Sequence, residues 1–403
     1  MPADNQMGDP GTRQVVAGGE TSHRPRWRDA VAAGLFHTGA LRILQAITKH
    51  YEIKRDGSRR VTVSRRAAHP KFVILCYHRI GTGGIPLFSE LPTDLFDAQM
   101  RYIRRRYRVL SLDDLCEEME KPSQKEDAVA VTFDDGYRDL HTHALPVLRK
   151  YQIPATIYLP VACIESGEVP WYDRIFLALK VYPKDKLEIV LDRPRRFGLD
   201  SSKVRLETAA EIIQYLRTLP DENRKEFCAG LEKQIALPPE ELKDRMLTWD
   251  QIRAMCRERI TFGSHTMTHP AVSRLAAAQL EHELGESKRA LELRIGRPAV
   301  HFAYPFGKPA DCGTDAQQYL VNYGYRSAST TVEGTNEPGD NRYAMRRSQV
   351  GNERAISMFA FKLNQLFLSS GAESLTTSRP AETPALGKPL SQPERQGQGV
   401  TNA

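Results

Sequence analysis

The feature that most constrains the fold of this 403-residue chain is a series of short apolar runs separated by helical stretches. Residues 72–77 (FVILCY) and 128–133 (AVAVTF) are nearly continuous in apolar side chains. Runs of this length without polar alternation are typical of strands that are covered on both faces, as in parallel sheets. Further strands are predicted at 155–159, 260–262, 301–304, 326–329 and about 345–350, and helices at 96–107, 139–151, 249–258, 276–295, 313–323 and 354–368.

Strands and helices that alternate this regularly predict an α/β fold in which helices wrap a mostly parallel sheet. The pattern contains about seven strands, a number that favours a distorted (β/α) barrel with an inserted segment over an open sheet. In either architecture the chemistry is expected at the carboxyl ends of the strands.

The alternation defines a main domain over residues 71–369. Residues 184–246 interrupt it with a sequence rich in Lys, Glu and Leu, which is expected to form an inserted helical segment beside the site. The C-terminal tail, 370–403, has few large apolar residues and is predicted to be disordered. Residues 1–70 form a basic arm, in which apolar residues at helical spacing predict an amphipathic helix over about 27–51.

Positive charge is concentrated in this arm. The formal net charge is +7, and residues 1–70, with twelve Lys and Arg against six Asp and Glu, carry +6 of it. Two interpretations stay open: a surface that contacts anionic lipid or an anionic glycan, or a solvated arm. The amphipathic helix likewise lies either on a membrane surface or on the main domain. Nucleic acid is not expected as a partner, because the basic residues are not interleaved with aromatic ones.

The sequence also excludes an integral membrane protein and favours a reducing compartment. With 40% hydrophobic residues the chain can bury a core, yet no apolar run reaches the roughly 20 residues that a membrane-spanning helix requires. The six cysteines are widely spaced without a C-x-x-C pair, as is typical of free thiols in a reducing compartment. The first residues lack the apolar core of a secretory signal. We therefore expect a cytoplasmic location, with membrane association through the basic arm left open.

Two adjacent carboxylates follow the strand at 128–133. Asp134 and Asp135 stand where the strand ends, and burying both would be costly without compensation. A turn at Gly136 can direct both side chains toward one cavity, where a bound cation would compensate them. The other interpretation is that the pair caps the next helix, because Asp is a favoured N-cap residue.

A pair of histidines follows a later strand. His265 and His269 are four residues apart, a spacing that places both imidazoles on one side of a helical turn, as two ligands of one metal require. Such pairs also arise often by chance. Together with one of the two aspartates, the pair makes a three-ligand set with an open position, as in catalytic zinc sites, and the other carboxylate is left to act as a base.

Three segments at strand ends carry a resemblance to a known family. They are TFDDGY at 132–137, GSHTMTHP at 263–270 and FAYPFG at 302–307. These segments resemble the signature motifs of the metal-dependent polysaccharide deacetylases, a carbohydrate esterase family that includes bacterial exopolysaccharide deacetylases. The resemblance covers about residues 71–365. It implies a distorted (β/α) barrel that removes acetyl groups from N-acetylated sugars.

The resemblance assigns roles to the aspartates and histidines. Asp134 would be the general base that activates water, and Asp135, His265 and His269 would be the metal ligands. The implied cofactor is a divalent metal, with Zn²⁺ favoured and Co²⁺, Ni²⁺ and Fe²⁺ also compatible with these ligands.

The same resemblance places the third motif along the substrate groove. Its wall would consist of Tyr304, Pro305, Phe306 and Gly307. The backbone N–H of Phe306 would help to bind the oxyanion. Trp171 and the neighbouring Tyr172 offer either a platform for a sugar ring or a piece of the core.

The chain departs from the family pattern at two positions. Many members have Arg-Pro in the third motif, where the Arg steadies the catalytic Asp, but this chain has Ala303-Tyr304. Arg347 and Arg174 are candidates for that task, and Arg347 is also a candidate for substrate binding. The late His that often acts as general acid has no counterpart after His301. His78 matches the early Tyr-His pair of exopolysaccharide members and is assigned the acid role, the alternative being a structural histidine.

These assignments predict a metal-dependent hydrolase that removes N-acetyl groups from an N-acetylhexosamine-containing polysaccharide or its lipid-linked precursor. Two alternatives stay open: a non-catalytic glycan-binding member of the fold, and a hydrolase of O-acetyl esters or other amides with the same site. The motifs do not specify the sugar, the linkage or the metal.

Overall fold

The computed structural model describes residues 26–38, 40, 43, 51–55, 61–65, 69–81, 90–123, 126–351, 353 and 355–369. The α-helices, numbered along the chain, are α1 Arg26–His37, α2 Thr93–Arg106, α3 Leu112–Glu120, α4 Leu145–Tyr151, α5 Val161–Ser166, α6 Trp171–Val181, α7 Ser202–Leu216, α8 Asp221–Ile235, α9 Trp249–Met255, α10 Ala277–Leu280, α11 Ser287–Ile295, α12 Pro309–Cys312, α13 Ala316–Asn322 and α14 Ile356–Leu368. The strands are β1 Tyr51–Arg55, β2 Val61–Arg65, β3 Phe72–Tyr77, β4 Arg108–Val109, β5 Ala128–Phe133, β6 Ala155–Leu159, β7 Lys186–Val190, β8 Pro194–Gly198, β9 Ile260–Ser264, β10 His301–Ala303, β11 Ser327–Ser329 and β12 Ser348–Gln349. Two π-helical turns, Leu140–Ala144 and Glu281–Glu286, lead directly into α4 and α11.

Seven parallel strands form the central sheet, in the order β11-β10-β9-β6-β5-β3-β12, and β4 pairs with β5 beside this path. The sheet is curled, and the segment around β12 bridges its two edges: Met345 pairs with Ser329 of β11, while β12 pairs with β3. Helices such as α2 and α4 bury apolar faces against the strands. The predicted distorted (β/α) barrel of about seven parallel strands is therefore confirmed.

Burial explains why the strands are so apolar. All six residues of β3 and all six of β5 are buried, as expected for strands that are covered on both faces. The pairings that join β3, β5, β6, β9 and β10 are all parallel. The carboxyl ends of these strands therefore open at one edge of the sheet, where the residues of the three motifs follow.

The insertion at 184–246 differs from the helical segment that the sequence led us to expect. It begins with an antiparallel hairpin of β7 and β8, which precedes α7 and α8. Along β7 exposed and buried residues alternate, with Leu187 and Ile189 buried, which is the period of a half-buried strand. The overall Lys, Glu and Leu content concealed this short two-residue period. Helices α7 and α8 pack on α6, the helix that begins at Trp171.

The flanks of the main domain are described only in part. The helix expected over 27–51 is seen as α1, which packs on α14, while most of residues 39–50 lies outside the described residues and Tyr51 already begins β1. The expected disordered tail, 370–403, and residues 1–25 of the basic arm also lie outside them. Among the described helices, none has the length and the apolar content needed to cross a membrane.

Candidate active site

The site is assembled from the residues that follow four strands. His78 follows β3, the two aspartates follow β5, His265 follows β9, and the loop at 304–307 follows β10. Because β3 and β5 are paired in register up to Tyr77 and Phe133, their following residues leave the sheet side by side. The predicted catalytic and metal-binding residues are brought together at this edge.

Asp134 is compensated by protein groups. Its oxygens accept two hydrogen bonds from Arg347, Nη1 to Oδ1 at 2.6 Å and Nη2 to Oδ2 at 2.7 Å. The Cys76 thiol donates to Oδ2 at 3.5 Å, and His78 Nε2 lies 4.0 Å from the same oxygen. Burial alone would raise the pKa of Asp134, but the charge of Arg347, with contributions from His265 and His78, holds that pKa well below its usual range. Asp134 is therefore ionised at neutral pH.

Asp135 is equally buried but lacks such partners. Both of its carboxylate oxygens are buried, and neither accepts a hydrogen bond from a described residue. Two imidazole nitrogens face its Oδ1, His269 Nε2 at 3.4 Å and His265 Nε2 at 3.7 Å. The φ of Asp135 is 71°, in the left-handed region that non-glycine residues seldom adopt. This backbone conformation turns the side chain toward the histidines although the preceding residue is bound to Arg347.

Hydrogen bonding orients His265 as a ligand. Its Nδ1 lies 2.7 Å from the backbone oxygen of Ala303 at the end of β10, and because a carbonyl only accepts, Nδ1 carries the proton. The free lone pair is then on Nε2, the atom that faces Asp135. Burial lowers the pKa of His265 to about 4, so the ring is neutral at pH 7. A neutral imidazole whose other nitrogen donates to a carbonyl is the usual state of a metal-bound histidine.

His269 is held by its backbone and by a wall of aromatic rings. Its N–H donates to Thr266 Oγ1 at 2.9 Å, and its carbonyl accepts a hydrogen bond from Trp171 Nε1 at 3.0 Å. The rings of Tyr172 and Phe306 meet the imidazole edge-on, at centroid distances of 4.9 and 5.1 Å. The backbone hydrogen bonds hold the position of His269, and the two aromatic rings pack against its imidazole.

Asp135, His265 and His269 fit a divalent metal. Their ligand atoms all lie within 4.8 Å of one another. Ligands placed tetrahedrally at about 2.0–2.1 Å from one zinc ion are roughly 3.3–3.4 Å apart, which is close to the observed 3.4 and 3.7 Å. A cation would also satisfy the two buried Asp135 oxygens, which have no hydrogen-bond donor among the described residues. One carboxylate and two imidazoles suit Zn²⁺ and also Co²⁺, Ni²⁺ and Fe²⁺.

Of the four residues that the third motif was expected to contribute to the groove, one, Phe306, faces the site. Phe306 is half-buried and faces His269, whereas the neighbouring Pro305 and Gly307 are buried. Gly307 has a φ of 65°, and a Cβ there would lie 2.7 Å from the backbone nitrogen of Thr331, so the tight turn requires glycine. The ring of Phe306 is therefore the part of the loop that faces His269.

Tyr304 does not line the groove, which corrects the expectation from its motif. The residue is 1% exposed, and its hydroxyl donates to the carbonyl oxygen of Tyr343 at 3.1 Å. Its ring packs against Phe302 at a centroid distance of 5.2 Å. Residues two apart along a strand share one face, so Tyr304 follows Phe302 into the core.

Two further residues expected to bind substrate are also buried. The side chain of Arg347 is fully buried, and so is the Asp134 carboxylate with which it forms an ion pair. Arg347 therefore supports Asp134 and does not reach a substrate. Arg174, the other candidate for that support, pairs with Glu168 and Glu232 instead. Trp171 is 7% exposed, and its Nε1 donates a hydrogen bond to the carbonyl oxygen of His269. It therefore lies in the wall of the site and does not form an open platform for a sugar ring.

Some neighbours of the site were missed in the sequence. Cys76 contacts Asp134 and could have been found, because it lies two residues before His78 and strand residues at this spacing share a face. Asp173 is buried beside the aromatic wall and accepts a 2.6 Å hydrogen bond from the hydroxyl of Tyr137. Burial raises the pKa of Asp173 to about 7. No local pattern marks this pair, since its members are 36 residues apart.

Comparisons with known proteins point to one family. The family model for polysaccharide deacetylases matches residues 121–189 and 210–328. The matched ranges contain Asp134, Asp135, His265 and His269, but neither His78 nor Arg347. YxkH of Bacillus subtilis, a protein named for the same family, is 22% identical over 293 residues, which are 72% of this chain and 75% of YxkH.

Comparison with solved structures gives two further similarities. The Streptococcus pyogenes deacetylase PplD, solved in complex with acetate, gives a TM-score of 0.49 at 19% identity, over 74% of this chain and 99% of that one. IcaB from Ammonifex degensii gives a TM-score of 0.48 at 18% identity, over 74% of this chain and 98% of that one.

Proposed function

This chain belongs to the polysaccharide deacetylase family, and from that premise we propose that it is a divalent-metal-dependent hydrolase of N-acetyl groups. The proposed substrate is an N-acetylhexosamine-containing polysaccharide or its lipid-linked precursor. The observation that carries the proposal is a pair of adjacent buried aspartates with different partners. Asp134 is ion-paired with Arg347, whereas Asp135 faces two imidazoles and neither of its oxygens accepts a hydrogen bond from the part of the chain that the structure describes.

In this proposal Asp135, His265 and His269 hold the metal, with Zn²⁺ as the first candidate and Co²⁺, Ni²⁺ or Fe²⁺ as alternatives. When bound, a metal of this kind acidifies water toward neutrality and polarises a carbonyl oxygen. The fixed tautomer of His265 supports the assignment, because Nε2 then offers its lone pair toward Asp135 without any rearrangement.

Asp134 is proposed to accept a proton from the water that attacks the acetyl carbon. Arg347 keeps the carboxylate ionised and fixed in orientation. The low pKa of Asp134 makes it a weak base, so it passes an accepted proton on readily. The roles of base and support are thus divided between two residues that are 213 positions apart in the sequence.

His78 is proposed to protonate the leaving nitrogen as the C–N bond breaks. Its Nε2 lies 4.0 Å from Asp134 Oδ2, and its side chain is 16% exposed, so it can reach both the base and a bound substrate. The oxygen of the attacking water ends in acetate, and the sugar keeps a free amine. The backbone N–H of Phe306 is the proposed donor to the oxyanion, for which one well-placed donor typically contributes about 3 kcal/mol.

Two alternatives use the same geometry. Hydrolysis of an O-acetyl ester or of another amide would need the same base and metal ligands, so only the substrate separates it from N-deacetylation. A non-catalytic glycan-binding role is disfavoured because every ligand position holds a competent donor and Asp134 is kept ionised.

Where the protein acts is part of the proposal as well. All six cysteines are described and unpaired, which supports action in a reducing compartment such as the cytoplasm. Contact of the basic segment 1–70 with an anionic membrane would bring the site to a lipid-linked substrate. Sedimentation of the full chain with phosphatidylserine vesicles, compared with neutral vesicles, tests this contact.

The deciding experiment is an acetate-release assay on defined N-acetylglucosamine oligomers. The full chain is stripped of metal with a chelator and reloaded separately with Zn²⁺, Co²⁺ or Ni²⁺. We expect acetate only after reloading, and an O-acetylated oligosaccharide assayed in parallel separates the ester alternative. Full activity of the stripped protein, or glycan binding without any acetate release after reloading, would overturn the proposal.

A further inference from the structure

The turn between the two proposed histidine ligands is tied to a neighbouring helix by a buried carboxylate. Glu283 is 1% exposed, and its Oε2 accepts the backbone N–H groups of Met267 and Thr268 at 2.9 Å each. Its Oε1 accepts the hydroxyl of Thr268 at 2.7 Å. The two residues that Glu283 binds lie between His265 and His269, so the carboxylate holds the centre of the ligand turn.

A second side chain of the same helix holds the start of this turn. Ser287 Oγ donates to the backbone oxygen of Glu283 at 2.7 Å and lies 2.8 Å from Ser264 Oγ. Ser264 Oγ in turn accepts the N–H of Thr266 at 3.2 Å. The helix therefore contacts the turn at two points, through residues that are one helical turn apart.

The backbone of the turn needs such support. The φ angles of Thr266 and His269 are 68° and 60°, a conformation that persists in non-glycine residues only when the surroundings impose it. Glu283 belongs to the π-helical turn Glu281–Glu286, a wide turn of a kind that often occurs at functional sites. The Glu283 carboxylate therefore links the π-helical turn to the strained backbone between His265 and His269.

We propose that Glu283 is a positioning residue of the metal site, which fixes the backbone at 267–268 so that the imidazoles of His265 and His269 converge on Asp135. The inference rests on the proposed function, because it concerns the affinity of the same site for its metal. Glu283 acts through hydrogen-bond geometry and not through its charge. Two substitutions separate these roles.

Glu283→Asp keeps the charge but withdraws the carboxylate by one methylene, whereas Glu283→Gln keeps the reach and loses the charge. The Gln oxygen can accept both N–H groups, and its NH₂ can donate to the Thr268 hydroxyl. Glu281→Gln is the matched control, since Glu281 lies in the same π-helical turn but is half-exposed and pairs with Arg289. For each full-length variant we would measure the zinc dissociation constant by chelator competition and the melting temperature without metal.

Loss of a hydrogen bond that orients metal ligands typically weakens metal binding by about 10–100-fold. We expect a loss of this size in Glu283→Asp, a change of less than about threefold in Glu283→Gln, and wild-type affinity in Glu281→Gln. Folded Glu283→Asp protein with wild-type zinc affinity would overturn the inference, and so would a larger loss in Glu283→Gln than in Glu283→Asp.

If Glu283→Asp does not fold, Thr268→Ala removes one of the three hydrogen bonds at a partly exposed position and is measured in the same way. A zinc affinity unchanged in that variant would then count against the inference. If the wild-type chain itself binds no metal, the proposed function fails, and this inference fails with it. Zinc binding by the wild type that is insensitive to Glu283 overturns the inference alone.

Discussion

Asp134 and Asp135 are neighbours at one strand end and are equally buried, yet the protein treats them in opposite ways. Around Asp134 the chain supplies a guanidinium, a thiol and an imidazole, and both oxygens are bound. Around Asp135 it supplies two imidazoles at 3.4 and 3.7 Å and no hydrogen bond from a described residue. A buried carboxylate needs a compensating charge or hydrogen bonds. The difference fits the proposal that Asp135 binds a cation, whereas Asp134 is already compensated by protein groups.

The strongest test of this comparison is Asp135→Asn. We expect the purified variant to carry no zinc and to release acetate only at background level, because an amide cannot neutralise a divalent cation. Elemental analysis of the zinc-reloaded protein and the acetate assay measure the two effects. A variant that keeps its zinc would show that the two aspartates do not divide the work in this way.

Asp134→Asn should leave the proposed metal ligands intact and remove the proposed base. We expect zinc content to stay at the wild-type level while kcat falls by about 10²–10⁴-fold, the range typical of a general base. Zinc content and acetate release are measured as before, so Asp134→Asn can be compared directly with Asp135→Asn. Loss of zinc in Asp134→Asn would instead place both aspartates among the ligands.

Removal of Arg347 tests the compensation of the Asp134 charge and leaves the partners of Asp135 unchanged. In Arg347→Met the buried Asp134 carboxylate loses its cation, and we expect the free energy of unfolding to fall by about 3–5 kcal/mol. The double variant Arg347→Met with Asp134→Asn should recover part of this loss, since it removes the charge that was left unpaired. Urea denaturation of the metal-free proteins measures both. A loss below about 1 kcal/mol would mean that Asp134 is not sustained by this pair.

The smallest effect is expected from Arg217, which follows α7 in the insertion. Its guanidinium lies 4.3 Å from the Phe306 ring centroid and binds Asp311 at 2.8 and 3.0 Å. Arg217→Ala should loosen the ring that faces His269 and raise KM about fivefold, or about 1 kcal/mol, with kcat nearly unchanged. Arg205→Ala, another arginine of the insertion, whose guanidinium binds backbone carbonyls near Tyr182, is a suitable control. An equal change in both variants would assign the effect to the insertion as a whole.

The parts of the molecule that local patterns determine could be predicted. The bounds of β3, β5 and β6 agree with the predicted runs residue for residue, because continuous apolar segments leave little choice of secondary structure. Asp135, His265 and His269, which follow β5 and β9, also converge as expected, since parallel strands present their carboxyl ends at one edge.

What could not be predicted depends on contacts between residues distant in the chain. Tyr304 is drawn into the core by Tyr343, and Arg347 could be assigned to Asp134 rather than to substrate only once the curled sheet placed β12 beside β3. The tie from Glu283 depends on a π-helical turn, which has no sequence signature comparable to a cap or a strand. In each case the decisive partner lies outside the window that a local pattern covers.

The segment that bridges the two edges of the sheet also carries Arg347, and this has a consequence for biosynthesis. Asp134 is translated 213 residues before its counter-ion, a delay of roughly 10–40 s at ordinary rates of elongation. During that interval a ribosome-bound chain holds Asp134 without the guanidinium that pairs with it. A nascent or truncated chain that ends before Arg347 therefore lacks the counter-ion of the buried Asp134 carboxylate.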